Sequence, residues 1–273
     1  MSQSQNIQLS PWSTMPFQYS FAHQKEVNWP ENPEKPHIHD CYEIYVNVSG
    51  NVAFLVNNAL YPVRQGDIIV SRPGELHLCV YREPELHERF CFWIHCPQDS
   101  ALLAFTRRED FANYLHFSRE VRQELLQLLY DLKNADARNR EPARTAGIFR
   151  FLALLSESKL STPADPVLPQ AMQQVLDYIR TNFTQLHSAA DIAEGCHIST
   201  STLNRWFRTY LQLSPHKYVE ALKLSLAQKM LVEGCSVTDA CNGAGFSDCS
   251  RFIAIFKAKF GKTPLQYQKQ RDT

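Results

Sequence analysis

The sequence predicts a two-part α+β chain: an N-terminal β-barrel or jelly roll with attached helices, then an all-α region holding two helix-turn-helix units. Three observations carry this. The last hundred residues repeat one helix-turn-helix pattern at a spacing of about fifty residues, and internal repeats define architecture before any finer detail. Residues 10–97 form a series of short segments rich in β-branched and aromatic residues, punctuated by Gly, Pro and Asn. The formal charge is zero overall but divided. Residues 1–165 hold 16 Lys+Arg against 20 Asp+Glu, net −4, and residues 166–273 hold the other 12 against 8, net +4. The basic half is the half with the repeats, which suits contact with nucleic acid.

Taken in chain order, the predicted strands are EIYVNVSG, NVAFLVNNALYPV, GDIIVSRPG, HLCVY and RFCFWIHC. Asn57-Asn58 and Ser49-Gly50-Asn51 read as hairpin turns. Regularly spaced short strands suggest closure into a barrel or jelly roll. Two helices follow. In the first, Val121, Leu125, Leu128, Leu129 and Leu132 step along one side at near-heptad spacing. That seam is expected either to pack on the sheet or to pair with a second subunit as a homodimer contact. The second helix is expected over residues 143–157. KLSTPADPVLP, residues 159–169, holds three prolines and reads as an extended linker. The expected boundaries are thus residues 10–158, a linker at 159–169, and residues 170–270.

In the first repeat, Ile192, Ala193 and Ile198 pack two short helices, with Gly195 and Cys196 at the turn and Ser199 as N-cap. Leu203, Trp206, Phe207 and Tyr210 share the buried face of the second helix. Thr200, Ser201, Asn204, Arg205 and Arg208 share the other, offering hydroxyls, an amide and guanidinium groups suited to base edges and phosphate. Residues 218–232 form a linking helix. In the second repeat Val237, Ala240 and Cys241 face inward, and Gly243 and Gly245 sit near the turn. Asp248 caps a helix whose buried stripe is Phe252, Ile255, Phe256 and Phe260. Cys249, Ser250, Arg251, Ala254 and Lys257 are left outward, and Gly261 then Pro264 end the helix.

This tandem, with the stretch GFSDCSRFIAIFKAKFGKTPLQY, closely resembles the C-terminal signature of the AraC/XylS family of bacterial transcription regulators, over residues 170–270. The resemblance implies that each unit's second helix enters a major groove of promoter DNA and that the protein activates transcription through RNA polymerase. It assigns base reading to Ser201, Asn204 and Arg205, with Thr200 and Arg208 nearby, and to Cys249, Ser250 and Arg251, with Lys257 on phosphate. Many relatives carry a basic residue where this chain has Ala254, so weaker or different contacts are expected from the second unit.

In the N-terminal half, His37, His39, Glu43 and Gly50, then Gly66, Pro73-Gly74 and His77, resemble the two cupin motifs. In metal-bearing cupins the three His and the Glu hold one metal. This chain lacks the usual Gly before the first His pair and has Tyr81 where an Asn is common. The preferred reading is a polar wall for a small ligand, with no metal and no cofactor. Tyr45, Arg82 and Trp93 are further pocket candidates. Cupin-like sensing with AraC-type reading gives a sequence-specific, small-molecule-controlled regulator and not an enzyme, a sugar or other polyol being the suggested effector class. The rivals are a metal-dependent cupin enzyme with an added helical region and a ligand-independent DNA-binding factor. No basic-then-apolar leader and no apolar run near eighteen residues is present, so a cytoplasmic protein without membrane contact is expected. The eight cysteines show no metal or disulfide spacing, so free thiols are expected.

Overall fold

A computed structural model of the chain describes residues 17–28, 36–97, 99–138, 140–157 and 167–269. Most of the expected linker, residues 159–166, lies outside the described residues. Among the described residues, eight strands form two separate antiparallel sheets. They are β1 (Gln18–Asn28), β2 (Tyr42–Ser49), β3 (Val52–Val56), β4 (Ala59–Val63), β5 (Ile68–Ser71), β6 (His77–Tyr81), β7 (Glu85–His95) and β8 (Tyr114–Leu115). The five-stranded sheet runs β1-β7-β2-β5-β8 and the three-stranded one β4-β3-β6.

This corrects the expected closed barrel or jelly roll and the cupin-like reading that went with it. β2 uses both its edges on β7 and β5, and β3 uses both of its own on β4 and β6. No ladder joins the sheets into a ring among the described residues; one isolated bridge pairs His37, outside the strands, with His77 at the start of β6. The expected Asn57-Asn58 hairpin forms, with both residues at positive φ (46° and 64°), as the tight turn between β3 and β4 requires. Ser49-Gly50-Asn51 does not join paired strands. It carries the chain from one sheet to the other, with Gly50 at φ 103°.

The sheets lie between two helical layers, so β2 and β3 are buried on both faces. Alternate residues of β2 (Ile44, Val46, Val48) pack on α1 (Arg119–Ala137) and α2 (Glu141–Glu157). Tyr45, the alternate residue, packs with Val52, Phe54 and Val56 between the sheets. Ala53 and Leu55 of β3, with Leu78 and Val80 of β6, then face helices of the C-terminal half. Leu125, Leu129 and Leu132 are all within 1% exposure inside the first of these cores. The leucine seam is therefore filled by this chain's own sheet and α2, and the dimer contact expected there is not available. Tyr130 of α1 adds a polar tie, its hydroxyl donating to Glu88 at 2.6 Å.

The C-terminal half is all helical: α3 (Gln170–Asn182), α4 (Ala189–Gly195), α5 (Thr200–Trp206, continuing as a π turn over Phe207–Leu211), α6 (Pro215–Val232), α7 (Val237–Gly243), α8 (Cys249–Phe260) and α9 (Pro264–Lys269). Ser188, Ser199, Ser214, Ser236 and Asp248 each cap a helix by accepting a backbone N–H. The left-handed residue in the first turn is His197 (φ 55°), not Gly195. Gly195 instead leaves room for the end of the Tyr178 ring, since a Cβ there would meet its hydroxyl at 2.0 Å and the tyrosine would have to move. The cysteine expectation is also corrected: Cys241 of α7 and Cys249 of α8 form a disulfide, Cα–Cα 5.9 Å. No helix among the described residues is long and apolar enough to cross a membrane.

Candidate DNA interface and ligand wall

The caps decide which side of α5 and α8 faces outward. Ser199 fixes the start of α5, and burial of Leu203 and Phe207 then leaves Thr200, Ser201, Asn204, Arg205 and Arg208 exposed along one side. All five residues named from sequence therefore share one surface. The Asn204 amide donates to the Thr200 carbonyl at 2.8 Å, folded back on its own helix. In α8, Asp248 accepts from the Ser250 and Arg251 N–H groups, and burial of Phe252 and Phe256 leaves Ser250, Arg251 and Lys257 exposed. Cys249 is half-buried with its sulfur bonded to Cys241, so it offers no free thiol. Sequence reasoning passed over Ile253, which is 37% exposed. Its position, three after Ser250 and four before Lys257, already placed it on the outward face. It supplies an apolar group of the kind that meets a thymine methyl.

The ligand-wall residues divide. Reciprocal backbone bonds between His37 and His77, at 3.1 and 3.0 Å, bring their rings to 4.3 Å between centroids. The Gly74 N–H donates to the His39 carbonyl at 3.0 Å, and the His39 ring lies 5.2 Å from that of His77. Glu43 sits at the centre, 5% exposed. Its Oε2 lies 2.8 Å from His39 Nε2 and 3.5 Å from His77 Nε2, and accepts from Trp93 Nε1 at 2.7 Å. His77 Nδ1 lies 2.9 Å from the Glu75 carbonyl, which only accepts, so Nδ1 carries a proton. Burial pushes the Glu43 carboxyl up, but the His39 and His77 bonds and the His77 and His37 charges outweigh it and hold it well below the usual range.

His37, His39, Glu43, His77 and Trp93 thus converge. One ligand atom from each of the three His and Glu43 lies within 4.8 Å of the others, a donor set that could hold a metal ion. Tyr45 does not join them. Its hydroxyl pairs with His87 Nε2 at 2.7 Å in a separate buried node. Arg82 is exposed beyond β6. A cavity of about 710 Å³ opens beside His39, with Pro73, Gly74 and Leu76 on one wall and Tyr218, Leu222 and Lys229 on the other. His39 and the linking helix α6 therefore border one space.

Comparison with known proteins follows the same division. A family model described as a helix-turn-helix domain matches residues 192–270, and one described as an AraC-like ligand binding domain matches residues 30–152. The HTH-type transcriptional activator RhaS of Escherichia coli O81 (strain ED1a) is 24% identical over 261 residues, covering 90% of this chain and 92% of that protein. RhaS of Escherichia coli strain SE11 matches over the same length at the same identity. Among solved structures, apo ToxT from Vibrio cholerae covers 93% of this chain and 97% of its own at 12% identity and a TM-score of 0.38. A DNA-binding transcriptional dual regulator from Escherichia coli K-12 covers 39% of this chain and 96% of its own, at 24% identity and a TM-score of 0.35.

Proposed function

We propose that this chain, similar over its two halves to an AraC-like ligand binding domain and to a helix-turn-helix domain, is an AraC-type DNA-binding transcription regulator and not an enzyme, and that it activates transcription from promoters it reads with both units, under control of a small effector. The observation that carries the reading is the exposed face of α5. Thr200, Ser201, Asn204, Arg205 and Arg208 lie together on a helix held rigid by Leu203 and Phe207 beneath. Ser250, Arg251, Ile253 and Lys257 form the second reader, in the neighbouring major groove.

Arg205→Ala is expected to cost roughly 1–3 kcal/mol of DNA binding and to relax preference at one base position. Lys257→Ala should instead weaken binding to all sequences and flatten the dependence on salt. Affinities measured on duplexes selected by the protein from a randomised pool decide this. Equal base discrimination by wild type and Arg205→Ala would overturn the assignment.

The effector is assigned to the cavity beside His39, whose ring pairs with Glu43 and neighbours those of His37, His77 and Trp93 behind it. A polar, hydroxyl-bearing molecule such as a sugar suits a cavity whose lining includes His39, Asp40, Asn57, Asn58 and Lys229. A ligand there also touches α6, and so favours one placement of the reading helices by differential affinity. His39→Ala is expected to abolish effector response in the full chain while leaving uninduced DNA binding within about twofold, since His39 touches none of the candidate DNA-reading residues; a thermal melt checks that loss of its bond to Glu43 leaves the chain folded. Restoration of response by added divalent metal after chelation would replace the polar-wall reading with a metal site. The reading includes a homodimer, because two linked copies on adjacent sites gain avidity. Sedimentation of the full chain, free and on DNA, tests that.

A further inference from the structure

Lys223 lies midway along α6 and is only 6% exposed. Its ammonium crosses to the second unit and donates to the Gly245 carbonyl at 2.7 Å, with the Phe246 ring 6.0 Å away. Burial pulls its pKa below the ordinary lysine value, while the charge of Asp191 opposes that. A buried ammonium with a carbonyl partner is a costly way to fill space, and an apolar side chain of similar length would pack at less expense. The other side of the same peptide is equally constrained. Gly245 has φ 81°, and a Cβ there would lie 1.9 Å from the Thr184 carbonyl oxygen. Thr184 belongs to the 3-10 turn Phe183–Gln185 that leads into the first unit. The turn of the second unit is thus held between the linking helix and the entry to the first. Arg251, a candidate reader, lines the groove at this joint together with Lys223 and Gly245.

We propose that Lys223 is a positioning residue that fixes the relative placement of α5 and α8, so that the chain accepts its two DNA segments at one spacing only. The inference rests on the two-unit reading proposed above. Without the joint, the units would be tied by α6 alone and would adapt to segments at different separations. With it, spacing becomes part of the recognised sequence.

The test uses the full chain and duplexes it selects from a randomised pool. The two protected segments are mapped by footprinting, and one base pair is then inserted or removed between them. Each change turns one segment relative to the other by roughly 34–36°. Wild type is expected to lose roughly tenfold in affinity, comparable to a mismatched base pair. Lys223→Met should bind the original and altered duplexes within about threefold of each other. Lys223→Arg, which restores a charged donor, should recover the wild-type preference. A folded Lys223→Met protein, checked by thermal melting, that keeps the full spacing preference would overturn the proposal. Should that variant not fold, Lys223→Gln carries the same series. A single protected segment would show that the two-unit reading itself fails, and the lock would fall with it, whereas two protected segments on a wild type that tolerates the inserted base pair would overturn the lock alone. A two-segment footprint with unchanged Lys223→Met discrimination would sink the lock alone.

Discussion

Phe207→Ala is expected to destabilise the chain by about 3–5 kcal/mol, the cost of truncating a fully buried aromatic. Phe207 is 0% exposed and meets the Tyr218 ring edge-on at 5.6 Å. It lies in the core that also holds Ile192, Leu203 and Leu211, and that core extends into Ala53, Leu55 and Leu78 of the three-stranded sheet. The loss should therefore reach beyond the first reading unit. Urea unfolding followed by helical circular dichroism and by fluorescence of the adjacent Trp206 measures it. Ile253→Ala, on the exposed side of α8, is the control and should stay within about 0.5 kcal/mol of wild type. A midpoint for Phe207→Ala indistinguishable from that control would contradict the packing described.

Acid should destabilise the N-terminal half through His87. The ring is 1% exposed; burial first, and the Arg89 charge second, bring its pKa down to about 4. Nδ1 lies 2.8 Å from Asn28 Nδ2 and 3.1 Å from Arg89 Nη1, both donors, so it accepts. Nε2 then donates to the Tyr45 hydroxyl. Arg89 is itself paired with Glu26 at 3.1 Å. In the unfolded chain this histidine titrates near its ordinary value of 6.5. Between that pH and about 4 the unfolded chain binds a proton that the folded one refuses. Stability is thus fully present above pH 6.5 and is lost as the pH falls toward 4, by ~3 kcal/mol in all. Urea midpoints of wild type and His87→Gln, compared between pH 7.5 and 4.5, isolate the effect from that of the carboxylates. Parallel pH dependences for the two proteins would refute it.

The C-terminal half was legible because its pattern is local. Ser199, Asp248 and Gly261 mark helix ends, and Leu203, Phe207, Phe252 and Phe256 set the buried faces, all within one or two helical turns. The N-terminal half was legible only as strands. The local pattern of β2 and β3 does not say which strands pair, and residues buried on both faces lose the alternation that would mark a barrel wall. The same ambiguity hid the place of the leucine seam: Leu125, Leu129 and Leu132 would look identical whether they meet a second subunit or this chain's own sheet. His37, His39, Glu43 and His77 were recognisable by spacing, and the reciprocal His37–His77 bridge brings them together. Tyr45 was misplaced because its partner, His87, lies forty-two residues away on another strand. Nothing in the local sequence signals that pairing. Lys223 was hidden for the same reason, looking like any solvent-facing lysine until Gly245 is brought to it.

The face that β3 and β6 turn toward the C-terminal helices bears on how the chain is made. Ala53, Leu55, Leu78 and Val80 are covered by side chains such as Met172, Val175 and Tyr218, which are synthesised a hundred or so residues later. While the ribosome is still extending the chain, a completed N-terminal half presents this apolar strip to the surroundings. At roughly 5–20 residues per second, the exposure lasts on the order of ten seconds in each round of translation. Nascent chains stalled before residue 170 should therefore recruit chaperones and aggregate more readily than chains released after residue 232. The regulator's abundance in the cell will be sensitive to the speed at which that interval is crossed.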